Sequence, residues 1–192
     1  MENKRVLLIL FIMGFILSCT KELKENERAW NPYTMNETLI FESSAKKLDT
    51  IVVNKIINNA VSSSPAPELY RHTYLMVYAE SIVFKKSKLY NTQILTISSS
   101  TPNRLAGIGF GLRLNNANFG SSYKLKDLEE YPTMSITTKA GTFNDVIKLK
   151  PEIYYSERED EVKFMYWSKK DGYIKFERAD GFTWELIEKY VP

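Results

Sequence analysis

Two Asp-Gly pairs near the end of the chain, Asp171-Gly172 and Asp180-Gly181, constrain the fold more than any other feature. Asp-Gly tolerates the positive φ that tight hairpin turns require. The flanking segments are short, aromatic and alternating: Val162–Lys169, Tyr173–Arg178 and Phe182–Ile187. Three strands joined by two such turns make an antiparallel meander. With regular alternation, Phe164, Tyr166, Ile174, Phe176, Phe182, Trp184 and Leu186 share its apolar face.

The remainder of the chain extends this pattern. Thr38–Ser44 and Leu48–Ile57 read as strands. Leu48, Val52 and Ile56 recur at i+4, which leaves a helix open, but the β-branched residues around them favour strand. Asn58–Glu68 is expected to be a loop, because it contains Ser62-Ser63-Ser64-Pro65-Ala66-Pro67. Tyr70–Phe84 is apolar on both faces, as a central or covered strand is. A turn at Lys85–Lys88 and a strand at Leu89–Ser98 follow. In Leu105–Leu114, Gly107, Gly109 and Gly111 share one face, and Ile108, Phe110, Leu112 and Leu114 the other. A dinucleotide loop needs its glycines on a turn that opens a helix. Strand spacing instead predicts a bare face against which neighbouring groups pack closely. Asn115–Ser122 reads as a loop, and Tyr123–Tyr131 as a short helix stopped by Pro132. Thr133–Thr138, Asp145–Lys150 and Ile153–Ser156 read as strands, and Glu157–Glu161 as an acidic cluster between strands. Twelve Tyr and ten Phe suit strands and exclude a disordered chain. The expected fold class is therefore all-β. It is a single antiparallel domain over 30–192, built as a two-sheet sandwich or a curved half-barrel and ending in the three-stranded meander.

The start of the chain has a different character. Lys4 and Arg5 precede an apolar run of twelve residues, Val6–Leu17, and then Ser18-Cys19. As a helix the run would be about 18 Å long, short of a bilayer core of ~30 Å. A basic start, a short apolar stretch and a small residue before the break are the parts of a secretory signal. Ile16-Leu17-Ser18-Cys19 resembles the lipobox of bacterial lipoproteins. That resemblance implies cleavage after residue 18 and acylation of Cys19, the sole cysteine. Residues 19–29 would then be the lipidated cysteine and a polar tether, which a short surface helix could also explain. Without Lys4, Arg5 and Glu2 the balance is 24 basic to 22 acidic residues, too even for a nucleic-acid partner. The expected place is the cell envelope, with the chain lipid-anchored in the outer membrane.

Several segments together resemble exported lipoproteins of Bacteroidota whose function is not established. They are Trp30-Asn31-Pro32, Leu39-Ile40-Phe41, Asp145-Val146-Ile147-Lys148, Tyr166-Trp167-Ser168-Lys169, Gly172-Tyr173-Ile174-Lys175-Phe176 and Trp184-Glu185-Leu186. Asn36-Glu37 stands where a glycine turn is common in that class. The resemblance covers about a third of the mature chain. It implies export, acylation and an antiparallel β fold, and it brings no catalytic residues.

Few residues carry chemistry. His72 is the only histidine, so a zinc site with two or three His is excluded, and no Gly-x-Ser-x-Gly elbow is present. No metal, cofactor or catalytic set is expected. Tyr70, His72 and Tyr74 share a strand face and are the candidate ligand-binding residues. Glu129-Glu130 and Glu157–Glu161 could supply carboxylate pairs for glycoside hydrolysis, but both read as solvated. The expected function is a membrane-anchored, non-enzymatic binding or interaction module. The alternatives are a carrier of an apolar ligand in a concave sheet and a cell-wall or glycan hydrolase.

Overall fold

The computed structural model describes residues 19–61, 70–81, 91–115, 117–151 and 161–192. The expected signal (1–18), the serine-proline loop, the turn at Lys85–Lys88, the strand at Ile153–Ser156 and most of the acidic cluster lie outside them. The chain runs β1 (Cys19–Lys21), α1 (Glu25–Arg28), β2 (Thr38–Ser43), β3 (Leu48–Val61), β4 (Tyr70–Ser81), β5 (Asn91–Ser98), β6 (Gly107–Leu114) and β7 (Ala117–Lys124). It continues as α2 (Leu125–Glu129), β8 (Thr133–Thr138), β9 (Gly141–Leu149), β10 (Val162–Ser168), β11 (Gly172–Arg178) and β12 (Thr183–Tyr190).

Eleven strands form one antiparallel sheet in the order β7-β6-β5-β4-β3-β2-β12-β11-β10-β9-β8, curled into a half-barrel. Of the two architectures expected, the half-barrel is the one adopted. Two meanders, β2 to β7 and β8 to β12, are zipped together where β12 pairs with β2. The curl follows from chain length. Flat, the outermost strands would lie about 48 Å apart at ~4.8 Å per strand. Only α2 and a few extended residues link β7 to β8, a reach of at most about 20 Å. The two edges must therefore approach one another.

The inner face is filled by aromatic rings. Trp167 packs edge-on to Phe110 (4.7 Å between ring centres) and to Tyr173 (4.9 Å). Tyr33 stacks on Tyr173 at 6.4 Å, and Phe176 meets Phe41 at 5.8 Å. Tyr173 joins the two wings: its hydroxyl donates to the Ile94 carbonyl (2.6 Å) and accepts from the Gly111 N–H (3.1 Å). Its own N–H donates to the Tyr33 hydroxyl (3.1 Å). Burial pushes both phenols well above the ordinary tyrosine range, so they remain neutral donors and acceptors.

Four segments differ from expectation. The meander contains bulges at Lys163 and Ile174. An extra residue reverses the alternation beyond it. Met165 and Trp167, not Phe164 and Tyr166, therefore share a sheet face with Phe176 and Trp184. Phe164 and Tyr166 stand on the opposite face, Phe164 half-buried and Tyr166 buried, with the Lys148 ammonium over their rings at 3.8 and 5.3 Å. The Tyr166 hydroxyl donates to Glu177 (2.8 Å). Asn115–Ser122 was expected to be a loop, yet Ala117–Lys124 is a strand paired with the whole of β6. Burial of Ala117 and Phe119 stabilises it despite weak propensity. β3 runs on to Val61 through residues expected in the following loop. Finally, the polar stretch after Cys19 lies against the domain. β1 pairs in parallel with β4, Leu23 is buried, and Glu27 accepts from the N–H groups of Lys24 (2.9 Å) and Ser100 (3.3 Å).

Three outcomes follow from this packing. Gly172 has φ +87°, and a Cβ there would overlap the Tyr33 hydroxyl and ring. Gly181 has φ +82° with open space around it. In urea denaturation Gly172→Ala should cost about 2–5 kcal/mol, from backbone strain plus overpacking. Gly181→Ala should cost only the strain, about 1–2 kcal/mol. Tyr173→Phe should lose about 1–3 kcal/mol while the far-UV circular dichroism stays unchanged. The buried Asp49 carboxylate accepts from Ser81 Oγ (2.7 Å) and the Asn115 N–H (2.9 Å), but desolvation outweighs both and pushes its pKa up. The fold therefore favours protonated Asp49. Its contribution is whole below the unfolded value of ~3.9 and lost as pH rises through the raised folded value. Denaturation at about pH 3 and pH 7 should show Asp49→Asn more destabilising, relative to wild type, at the lower pH.

Candidate functional site

The outer face of β4 to β7 carries the candidate site. Alternation puts Ile108, Phe110, Leu112 and Leu114 inward, where all four are buried, and Gly107, Gly109 and Gly111 outward. In register, Thr96, Gly109 and Ser122 form one row across the sheet, and Ser98, Gly107 and Lys124 the next. These rows make a flat floor of hydroxyl groups and bare backbone. The Gly107 N–H donates to Ser98 Oγ (3.1 Å).

A groove of about 960 Å³ lies over this floor. Helix α2 helps to shape it. Leu125 and Leu128, three apart, are buried against the domain, and the Leu125 N–H donates to the Ala106 carbonyl (3.0 Å). The helix thereby presents Asp127 to the groove, with Tyr131 just beyond it. Tyr74 lines the groove from β4, while Arg104, Lys124 and Lys150 bring three cations from three separate segments. None of the three is ion-paired among the described residues. Asp127 is the one carboxylate among the described lining residues. The lining thus has three positive charges to one negative, with tyrosine rings and hydroxyls around them.

The residues singled out in the sequence fall in different places. Tyr74 is in the groove. His72 is buried behind it, with Nδ1 3.2 Å from the Ser99 carbonyl and its ring 6.3 Å from that of Tyr74. The side chains of Tyr70 and Cys19 lie outside the described residues; their backbones pair with each other across β4 and β1. The glycine face was expected to be closely covered. At Gly111 the close neighbour is the adjacent strand instead: a Cβ would stand 2.7 Å from the Gln93 carbonyl oxygen of β5. At Gly107 and Gly109 the face is instead the floor of the groove.

Sequence reasoning missed Arg104, Lys124, Asp127, Tyr131 and Lys150. No local pattern marks them, because they meet only after the sheet curls and α2 crosses between its edges. The available signal was the pairing of an alternating glycine face with the serine- and threonine-bearing strands beside it. Among the described residues no cluster of three or more His, Cys, Asp or Glu could hold a metal ion. Comparison with protein-family models, with curated proteins and with solved structures finds no match to this chain.

Proposed function

We propose that this chain is a lipoprotein of the cell envelope, anchored through Cys19 in the outer membrane, whose β domain is a non-enzymatic binding module. The groove on the outer face carries this reading. It combines cations with no ion pair among the described residues, tyrosine rings and a flat hydroxyl floor. Its described lining has one carboxylate, whereas two-carboxylate glycoside hydrolysis needs a pair about 5–9 Å apart. His72 is buried beside Tyr74, with Nδ1 3.2 Å from the Ser99 backbone carbonyl. The inner face, where a concave sheet would hold an apolar cargo, is already filled by Trp167, Tyr173 and Phe176.

The anchor rests on the basic start, the short apolar run and Ser18-Cys19. Strand β1 begins at Cys19, and Leu23 and Glu27 are buried. Lipid on Cys19 would therefore hold the β4 end of the domain close to the headgroups, with no long free tether. Two or more acyl chains suffice for stable attachment. In cell fractionation with radiolabelled palmitate, Cys19→Ala should leave the membrane fraction and lose its label. Retention of the variant in the membrane with unchanged label would overturn the anchor.

A further inference from the structure

Resting on the reading of the groove as a binding site, we infer that its ligand is an acidic oligosaccharide, one bearing uronate or sulfate groups. Four features of the lining select this chemistry together. Arg104, Lys124 and Lys150 have no acidic partner among the described residues, so they are available to anionic groups. Guanidinium and ammonium groups bind carboxylate and sulfate oxygens through charge-assisted hydrogen bonds. Asp127 asks for the opposite: a carboxylate accepts hydrogen bonds and repels anions. A polyphosphate offers Asp127 nothing, whereas a sugar supplies hydroxyl donors beside its acidic groups. Tyr74 and Tyr131 add ring faces and hydroxyls. Amphipathic rings of this kind suit a ligand with apolar C–H faces and polar edges.

The floor completes the fit. Side chains are absent at Gly107 and Gly109, so a flat ring can approach the strands closely. The hydroxyls of Ser122 and Thr96 flank Gly109 in the same row. The whole chain carries a formal charge of only +3, so the preference is local to the groove and not a general attraction for polyanions.

The test uses full-length protein in detergent and an array of uronate-bearing, sulfated and neutral oligosaccharides, with single-stranded DNA and anionic lipid vesicles as further probes. Two kinds of variant report on different parts of the site. Lys124→Gln and Lys150→Gln remove charge from exposed positions. Gly109→Leu keeps the charge and fills the floor, and its Cβ fits at 3.4 Å from Ser122 Oγ and 3.7 Å from Thr96 Cβ.

Acidic sugars should bind in preference to neutral ones, more weakly as salt rises. Each lysine substitution should weaken binding by about three- to tenfold. Gly109→Leu should abolish it. Equal binding of neutral and acidic sugars, lost in Gly109→Leu and untouched in the lysine variants, would overturn the acidic assignment while leaving a binding groove. Binding of DNA or vesicles alone, lost in the same variants, would do the same. Binding of no probe by folded protein would overturn the inference. The anchor is read separately, by fractionation of Cys19→Ala.

Discussion

One buried phenol ties the two wings of the half-barrel together. Tyr173 sits on β11, in the second meander, yet its hydroxyl is shared between the Ile94 carbonyl and the Gly111 N–H of the first. Sheet hydrogen bonds hold neighbouring strands, but they do not determine how far a sheet curls. The short α2 link brings the edges together, and a contact across the inner face then ties the two wings. Tyr173 makes that contact with a polar group that no water can replace, and a buried donor or acceptor left alone costs about 1–3 kcal/mol. Tyr33, Trp167 and Phe110 then pack around it as one aromatic cluster. Gly172 belongs to the same unit, because the ring of Tyr33 occupies the space a side chain there would need.

The fold class was legible because the strongest local signals agree with the tertiary structure. The Asp-Gly turns fall where expected, with Gly172 and Gly181 at positive φ. Asn36 also has positive φ (65°), so an asparagine performs there what a glycine turn would. What the sequence concealed has physical causes. The bulges at Lys163 and Ile174 add one residue each, and nothing in the composition marks an added residue. Strand β7 (Ala-Asn-Phe-Gly-Ser-Ser-Tyr-Lys) has almost no intrinsic preference for its state and takes it from β6. The segment after Cys19 reads as solvated because its polar residues outnumber Leu23, the one side chain that anchors it to the core.

The groove was half legible. Its floor could be seen as an alternating glycine face, and one of its rings, Tyr74, as part of a strand face. Its charges could not be seen. Arg104 follows a turn, Lys124 ends a strand and Lys150 comes just after the end of another, far along the chain. Such residues are brought together by the short α2 connection, the same constraint that forces the sheet to curl. The curl and the site are thus consequences of one piece of chain length.

The three glycines of β6 are not equivalent, and the difference bears on why the groove exists. Glycine inside a strand costs about 0.5–1 kcal/mol relative to alanine. At Gly111 packing accounts for it, since a Cβ would meet the Gln93 carbonyl oxygen at 2.7 Å. At Gly107 the Ser98 hydroxyl, itself bonded to the strand, stands 3.0 Å from the Cβ position. At Gly109 the nearest atoms, at 3.4 and 3.7 Å, leave room for an alanine. Packing within the domain therefore demands glycine at Gly111, crowds a side chain at Gly107 and leaves room for one at Gly109. Gly109 lies between Thr96 and Ser122 at the centre of the floor. A side chain there would project into the groove. Glycine at 109 is thus not demanded by packing around its Cβ position, and its effect is to leave that part of the floor bare.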